Sequence, residues 1–215
     1  MKLKTIFALI IGLIVIQSCN TKVDTIPFYK LSDEFKSYCL FQQGSSWEYN
    51  STLLSEPSSY GIAAVNENQW TNTYNERFSY EAIDMIMGDN QLGVSMIEIT
   101  AGSTLNSTSS MNSLMWVFYS DGDYRLVFAP QYPLGEEQIL GEHEGIYENV
   151  EIIPSLQLGE NTYTDVYHTK VTDHFDNGMG DFDFYIAKYH GLVKMQNIVA
   201  GDTIVVQLKS SSLIQ

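Results

Sequence analysis

The chain has 215 residues, of which 44% are hydrophobic, 13% aromatic and only 17% charged. Its 26 acidic residues against 11 basic ones give a formal charge of −15, which repels phosphate and, with no basic stripe along the chain, excludes a nucleic-acid role. The aromatic content excludes a disordered chain, and 14 tyrosines favour strands, where large rings sit well on a pleated surface.

Lys2 and Lys4 precede an uninterrupted apolar run from Ile6 to Ile16. As a helix this run would reach about 16 Å at ~1.5 Å per residue, well short of a hydrocarbon core of about 30 Å. A charged start and a short apolar middle describe a secretory leader rather than a membrane span. The run ends in Ile16-Gln17-Ser18-Cys19, which resembles the lipobox of bacterial lipoproteins, with Gln17 standing where a small or aliphatic residue is commoner. That resemblance implies a signal peptide over residues 1–18, cleavage after Ser18, diacylglycerol on the Cys19 thiol and acylation of the new amine. Loss of Lys2 and Lys4 takes the formal charge to −15 − 2 = −17. Each buried methylene contributes about 0.8 kcal/mol and stable anchoring takes more than one chain, which a lipidated Cys19 would supply. The membrane is then held through lipid alone, against repulsion from anionic head groups.

Residues 19–27 read as the lipidated cysteine and a polar tether, and residues 28–215 as one β-rich domain. Asp24-Thr25-Ile26 in the tether resembles the O-glycosylation acceptor of Bacteroidota, and Asp202-Thr203-Ile204 repeats the pattern. With Cys19 acylated, Cys39 has no partner for a disulfide. Cys39 is expected to be a small buried hydrophobe, since the acidic chain lacks the electropositive surroundings of a reactive thiol.

Along the domain, "LSDEFKSYCLF" predicts one short helix with Ser32 as N-cap and Asp33 and Glu34 in its first turn. "SWEYNSTLL" begins an alternating stretch. "RFSYEAIDMIM" and "QLGVSMIEIT" flank Gly88-Asp89-Asn90, and "LMWVFYS" and "YRLVFAP" flank Asp121-Gly122 as a clear hairpin. Residues 103–113 read as a polar loop and Pro133 to Gly141 as a turn region, with a strand in "EHEGIYENVEIIPSL". The last sixty residues hold four strands. Asn177-Gly178 suits a two-residue turn, and that register sets Val171 opposite Phe184 and Thr169 opposite Ile186, with Lys170–Tyr185, Thr172–Asp183 and His174–Asp181 on the other face. The expected fold is mainly β: an antiparallel curved sheet or open barrel of roughly ten strands with at most one or two short helices.

Two segments together carry a broader resemblance. "FQQGSSWEYN" (41–50) is similar to the Gly-Ser/Asn-x-Trp-x-Tyr opening of many Bacteroidota lipoproteins. "FYIAKYHGLVKM" is similar to their closing Tyr-x-Ala-x-x-x-Gly-Leu-Val-Lys strand, with Tyr185, Ala187, Gly191, Leu192, Val193 and Lys194 in those positions. The resemblance implies an exported β-rich domain and brings no activity with it. By class alone, the expected sheet is analogous to the curved sheets of periplasmic lipoprotein carriers, whose concave face holds acyl chains. Within that phylum, surface export goes with acidic residues just after the lipidated cysteine. "NTKVD" offers only Asp24, which favours the periplasmic side of the outer membrane.

Recognisable chemistry is sparse. His168 and His174 would lie roughly 20 Å apart along one strand and His190 on the opposite face, so the histidines, His143 included, do not assemble the three or four converging ligands of a zinc site. Asp173, Asp176, Asp181 and Asp183 lack the spacing of a calcium loop and suit hairpin turns. No nucleophile elbow, phosphate loop or metalloprotease helix is present, so no catalytic residue, metal ligand or cofactor is expected. Trp47, Tyr49, Trp116, Phe118, Phe182 and Tyr185 are candidates for core or pocket lining. The function expected is a membrane-anchored, non-catalytic domain binding a hydrophobic ligand, a glycan or an envelope protein. The alternatives are a structural component of an outer-membrane complex and a hydrolase without a recognisable motif, which two close acids with raised pKa values in a cleft would support.

Overall fold

Ser32 starts the helix for the reason its sequence gives: its hydroxyl accepts a hydrogen bond from the Phe35 amide at 3.1 Å, satisfying one of the donors a helix N-terminus leaves open. The helix α1 (Asp33–Cys39) carries Asp33 and Glu34 in its first turn and buries Phe35, Tyr38 and Cys39. The computed structural model describes residues 26–72, 78–88, 90, 93–101, 113–141, 145–172, 180–199 and 202–215. Cys19, the tether residues up to Thr25, His143, His174, Asp173, Asp176, the Asn177-Gly178 turn and nearly all of the 103–113 loop lie outside the described residues.

Thirteen strands follow or flank the helix: β1 (Phe28–Tyr29), β2 (Ser46–Ser51), β3 (Ser58–Asn72), β4 (Phe78–Met87), β5 (Val94–Thr100), β6 (Leu114–Tyr119), β7 (Tyr124–Phe128), β8 (Glu137–Gly141), β9 (Gly145–Leu158), β10 (Asn161–Thr172), β11 (Asp181–Ala187), β12 (Gly191–Val199) and β13 (Asp202–Ser212). They form one sheet in the order β7-β6-β5-β4-β3-β2-β13-β12-β11-β10-β9-β8, antiparallel throughout, with β1 added parallel to β4. The mainly β, antiparallel expectation holds, with thirteen strands among the described residues in place of roughly ten, one helix among them, and a sheet that is not closed into a barrel. β8 occupies part of the expected turn region, and β3 lies in a stretch whose sequence shows no sustained alternation.

The sheet curls until its free ends meet without pairing. β7 lies across the inner face of β9 and β10: the Thr169 hydroxyl donates to the Val127 carbonyl at 2.7 Å, and Asn149 Nδ2 donates to the carbonyls of Ala129 (2.9 Å) and Tyr132 (2.8 Å). The Tyr147 hydroxyl accepts from the Ala129 amide and donates to Asn149 Oδ1. These groups are buried, so each bond also spares the cost of an unmet polar atom.

Two turns depart from expectation. The β6–β7 hairpin forms at Asp121-Gly122, but its loop is longer than two residues, closed by bonds from Tyr119 N to Asp123 O and Gly122 N to Tyr119 O. The β10–β11 register pairs Val171 with Phe182, Thr169 with Phe184 and Lys170 with Asp183, two residues away from the register that an Asn177-Gly178 turn demands. An even slip keeps every side chain on its face, so the apolar and polar faces stand as read. The observed register gains an outer cluster in which His168 stacks on Tyr185 at 4.5 Å, His168 Nε2 lies 2.7 Å from Asp183, and Lys170 lies 3.7 Å from Asp181.

The two segments that carry the lipoprotein resemblance touch one another. Trp47 Nε1 donates to the His190 carbonyl at 2.9 Å and the Tyr49 hydroxyl to the Leu192 carbonyl at 2.7 Å. Between those carbonyls Gly191 adopts φ +75°, and a Cβ there would stand 3.1 Å from Phe41. Both facts favour glycine. The β11–β12 turn is also fastened to α1, through Tyr189 N to Ser37 O at 2.7 Å and Lys188 Nζ to Glu34 at 2.8 Å.

Candidate functional site

Alternation along the strands sends one set of side chains inward, and at one end of the interior they leave space. A cavity of about 390 Å³ is lined by residues from β2 to β7, from β11 to β13 and from the C-terminal end of α1. Most of its wall is apolar, with Met85, Met115 and Met195 among the larger side chains. This volume is within the ~300–1,000 Å³ range of small-ligand sites. Methionines suit such a wall because their unbranched thioethers adapt to irregular occupants. Leu53, 63% exposed, and the exposed Asp121 belong to the lining and mark its mouth.

One part of the wall is polar. Arg125 stands inward from β7 and is 2% exposed. Its guanidinium lies near two rings, 4.9 Å from the centroid of Tyr119 and 4.4 Å from that of Phe182, contacts that favour a desolvated cation. Nη2 is ion-paired with Asp123, while Nε finds no acceptor among the described residues. Burial pushes the Tyr119 hydroxyl up, an effect the adjacent Arg125 charge partly offsets.

Of the aromatic candidates, Trp47, Tyr49 and Phe182 line the cavity. Trp116, Phe118 and Tyr185 are on the other face, where Trp116 and Phe118 pack on Tyr124 at 5.7 Å each and Tyr185 carries the Lys194 ammonium 4.6 Å from its centroid. Cys39 lines the cavity as a free, buried thiol that donates to the Phe35 carbonyl at 3.2 Å, and burial pushes its pKa up. That is a thiol held away from reactivity. His168 and His190 have separate surroundings, the first against Asp183 and Tyr185 and the second edge-on to Tyr163 at 5.0 Å. Burial lowers the pKa of His190. Among the described residues no cluster of His, Cys, Asp and Glu could hold a metal ion, and no helix is long and apolar enough to cross a membrane.

Two acids bear on hydrolysis. Asp84 and Glu98 stand directly opposite on β4 and β5, and both carboxyls are raised. Burial is the larger cause for each; Asn68 opposes it at Asp84 through a 2.8 Å hydrogen bond, and the Asp84 charge adds to it at Glu98. They belong to the face away from the cavity, alternating with the inward Met85 and Ile97, so the cavity does not present them to a ligand.

Sequence reasoning missed Arg125, whose signal was a lone arginine inside the apolar run "YRLVF". No protein-family model matches the chain, and no curated protein matches its sequence.

Proposed function

We propose that this is a lipid-anchored protein of the bacterial cell envelope, tethered through Cys19 to the outer membrane on its periplasmic side, whose curled sheet holds a hydrophobic ligand. The observation that carries the binding role is the unfilled apolar space lined by the inward side chains of the sheet. Protein interiors pack like organic crystals and leave few voids larger than a water, so a cavity of about 390 Å³ is stability forgone. Ligand burial recovers it at roughly 25 cal/mol per Å² of apolar surface covered.

A photoreactive acyl probe tests this reading on the full chain in host membranes. Crosslinks mapped by mass spectrometry should fall on cavity residues such as Met85, Met115 and Met195, and enlarging the wall with Val117→Phe should abolish them. Crosslinks confined to the outer face, or unchanged in Val117→Phe, would refute it. Intact mass should show residue 19 as a lipidated N-terminus, and retention of the leader would refute the anchor.

A further inference from the structure

The polar part of the cavity narrows the ligand class. Charged residues in the lining are Arg125, Asp121 and Asp123, one cation against two anions. Asp123 already satisfies the Arg125 charge. The rings of Tyr119 and Phe182 stand 4.9 and 4.4 Å from the guanidinium; Asp123 is ion-paired with Nη2, and Nε is left without an acceptor among the described residues. A carboxylate or phosphate head placed there would meet an ion pair already neutralised at the buried Arg125, with a second acid, Asp121, at the mouth. Desolvating an anion without a free counter-charge is costly. A neutral oxygen incurs no such cost and supplies the acceptor that Nε lacks.

We propose that the cavity selects a single-chain amphiphile with an uncharged hydrogen-bond-accepting head, such as an ester, amide or hydroxyl, seated at Arg125 with its chain along the methionine-lined wall. The inference rests on the binding role above and adds to it the head-group chemistry. Volume argues for one chain, since about 390 Å³ is at the low end of small-ligand sites. The Asp123 carboxylate acts as the discriminating group: it occupies the position at the arginine that an acidic head would need.

The test compares two photoreactive probes of equal chain length, a monoacylglycerol and the free fatty acid, on the full chain in host membranes at pH 7.5. The monoacylglycerol should label cavity residues at least tenfold more efficiently. Asp123→Asn, nearly isosteric, should bring the two probes within about twofold of each other or reverse their order by freeing the Arg125 charge. Arg125→Met should remove the preference for the monoacylglycerol while cavity labelling continues, with thermal melting confirming that each variant is folded. Equal or better labelling by the acid in the unmodified chain would overturn the inference, as would a preference unaffected by both variants, and either would leave the binding role standing. Failure of both probes to label the cavity would bring down the binding role itself.

Discussion

The interior of the curled sheet has two ends built in opposite ways from the same strands. At one end, Phe128 meets Phe35, Tyr38 and Tyr167 with centroids 5.5, 5.3 and 5.0 Å away, over a hydrogen-bonded floor of Tyr147, Asn149 and Thr169. At the other end Met85, Met115, Met195 and the Arg125–Asp123 pair surround space. β7 serves both, with Arg125 and Val127 on the cavity and Phe128 in the packed cluster. Aromatic side chains that could fill the void are present in the chain, so the empty end is a property of where the residues are placed, not of a shortage of bulk.

The sharpest way to break this contrast is to truncate the packed end. Phe128→Ala should lower stability by about 3–5 kcal/mol, the range for a buried phenylalanine, read by denaturant unfolding. Asn149→Ala should cost about 3 kcal/mol, because it removes the buried donor to the Ala129 and Tyr132 carbonyls and the acceptor of the Tyr147 hydroxyl. A matched pair of enlargements then compares the ends directly. Val171→Phe, at a fully buried position, should destabilise by about 1–3 kcal/mol through overpacking, whereas Val117→Phe at the cavity wall should change stability by less than about 1 kcal/mol while blocking the acyl probe. Equal penalties would show that the cavity is not real space.

The smallest effect is on the outer face. A carboxyl whose folded pKa is raised favours folding while protonated, and that contribution disappears as pH rises from its ordinary value, about 4.5 for Glu98, through the folded one. The unmodified chain should therefore lose stability over that window. Glu98→Gln should flatten the decline and be more stable at neutral pH by a few tenths of a kcal/mol, about the scale of a cross-strand pair. Denaturant midpoints measured between pH 4 and 7 decide it.

Local structure was legible wherever one residue type sets one conformation. Ser32 announced its helix, Asp121-Gly122 its hairpin, and the alternation of Thr169, Val171, Phe182 and Phe184 their shared inner face. Register was less so: two registers that differ by two residues satisfy the same alternation, and only the cross-strand partners of Asp183 and Tyr185 favour the one observed. β3, running from Ser58 to Asn72 with polar residues on both faces of its second half, has no clean period to read. The cavity could not be read at all, since a void is defined by what nine strands together fail to fill. Arg125 was readable in principle, because a cation amid "YRLVF" must find a partner or a purpose.

The pairing of β2 with β13 has a consequence for how the molecule assembles. β2 to β7 and β8 to β13 are each a meander of neighbouring hairpins, able to zip up locally and early. The seam between them joins Trp47 and Tyr49 to His190 and Leu192, groups separated by 143 positions along the chain. Distant closures of that kind are slow. Two half-sheets, each with an unpaired strand edge, would thus coexist until β2 and β13 pair.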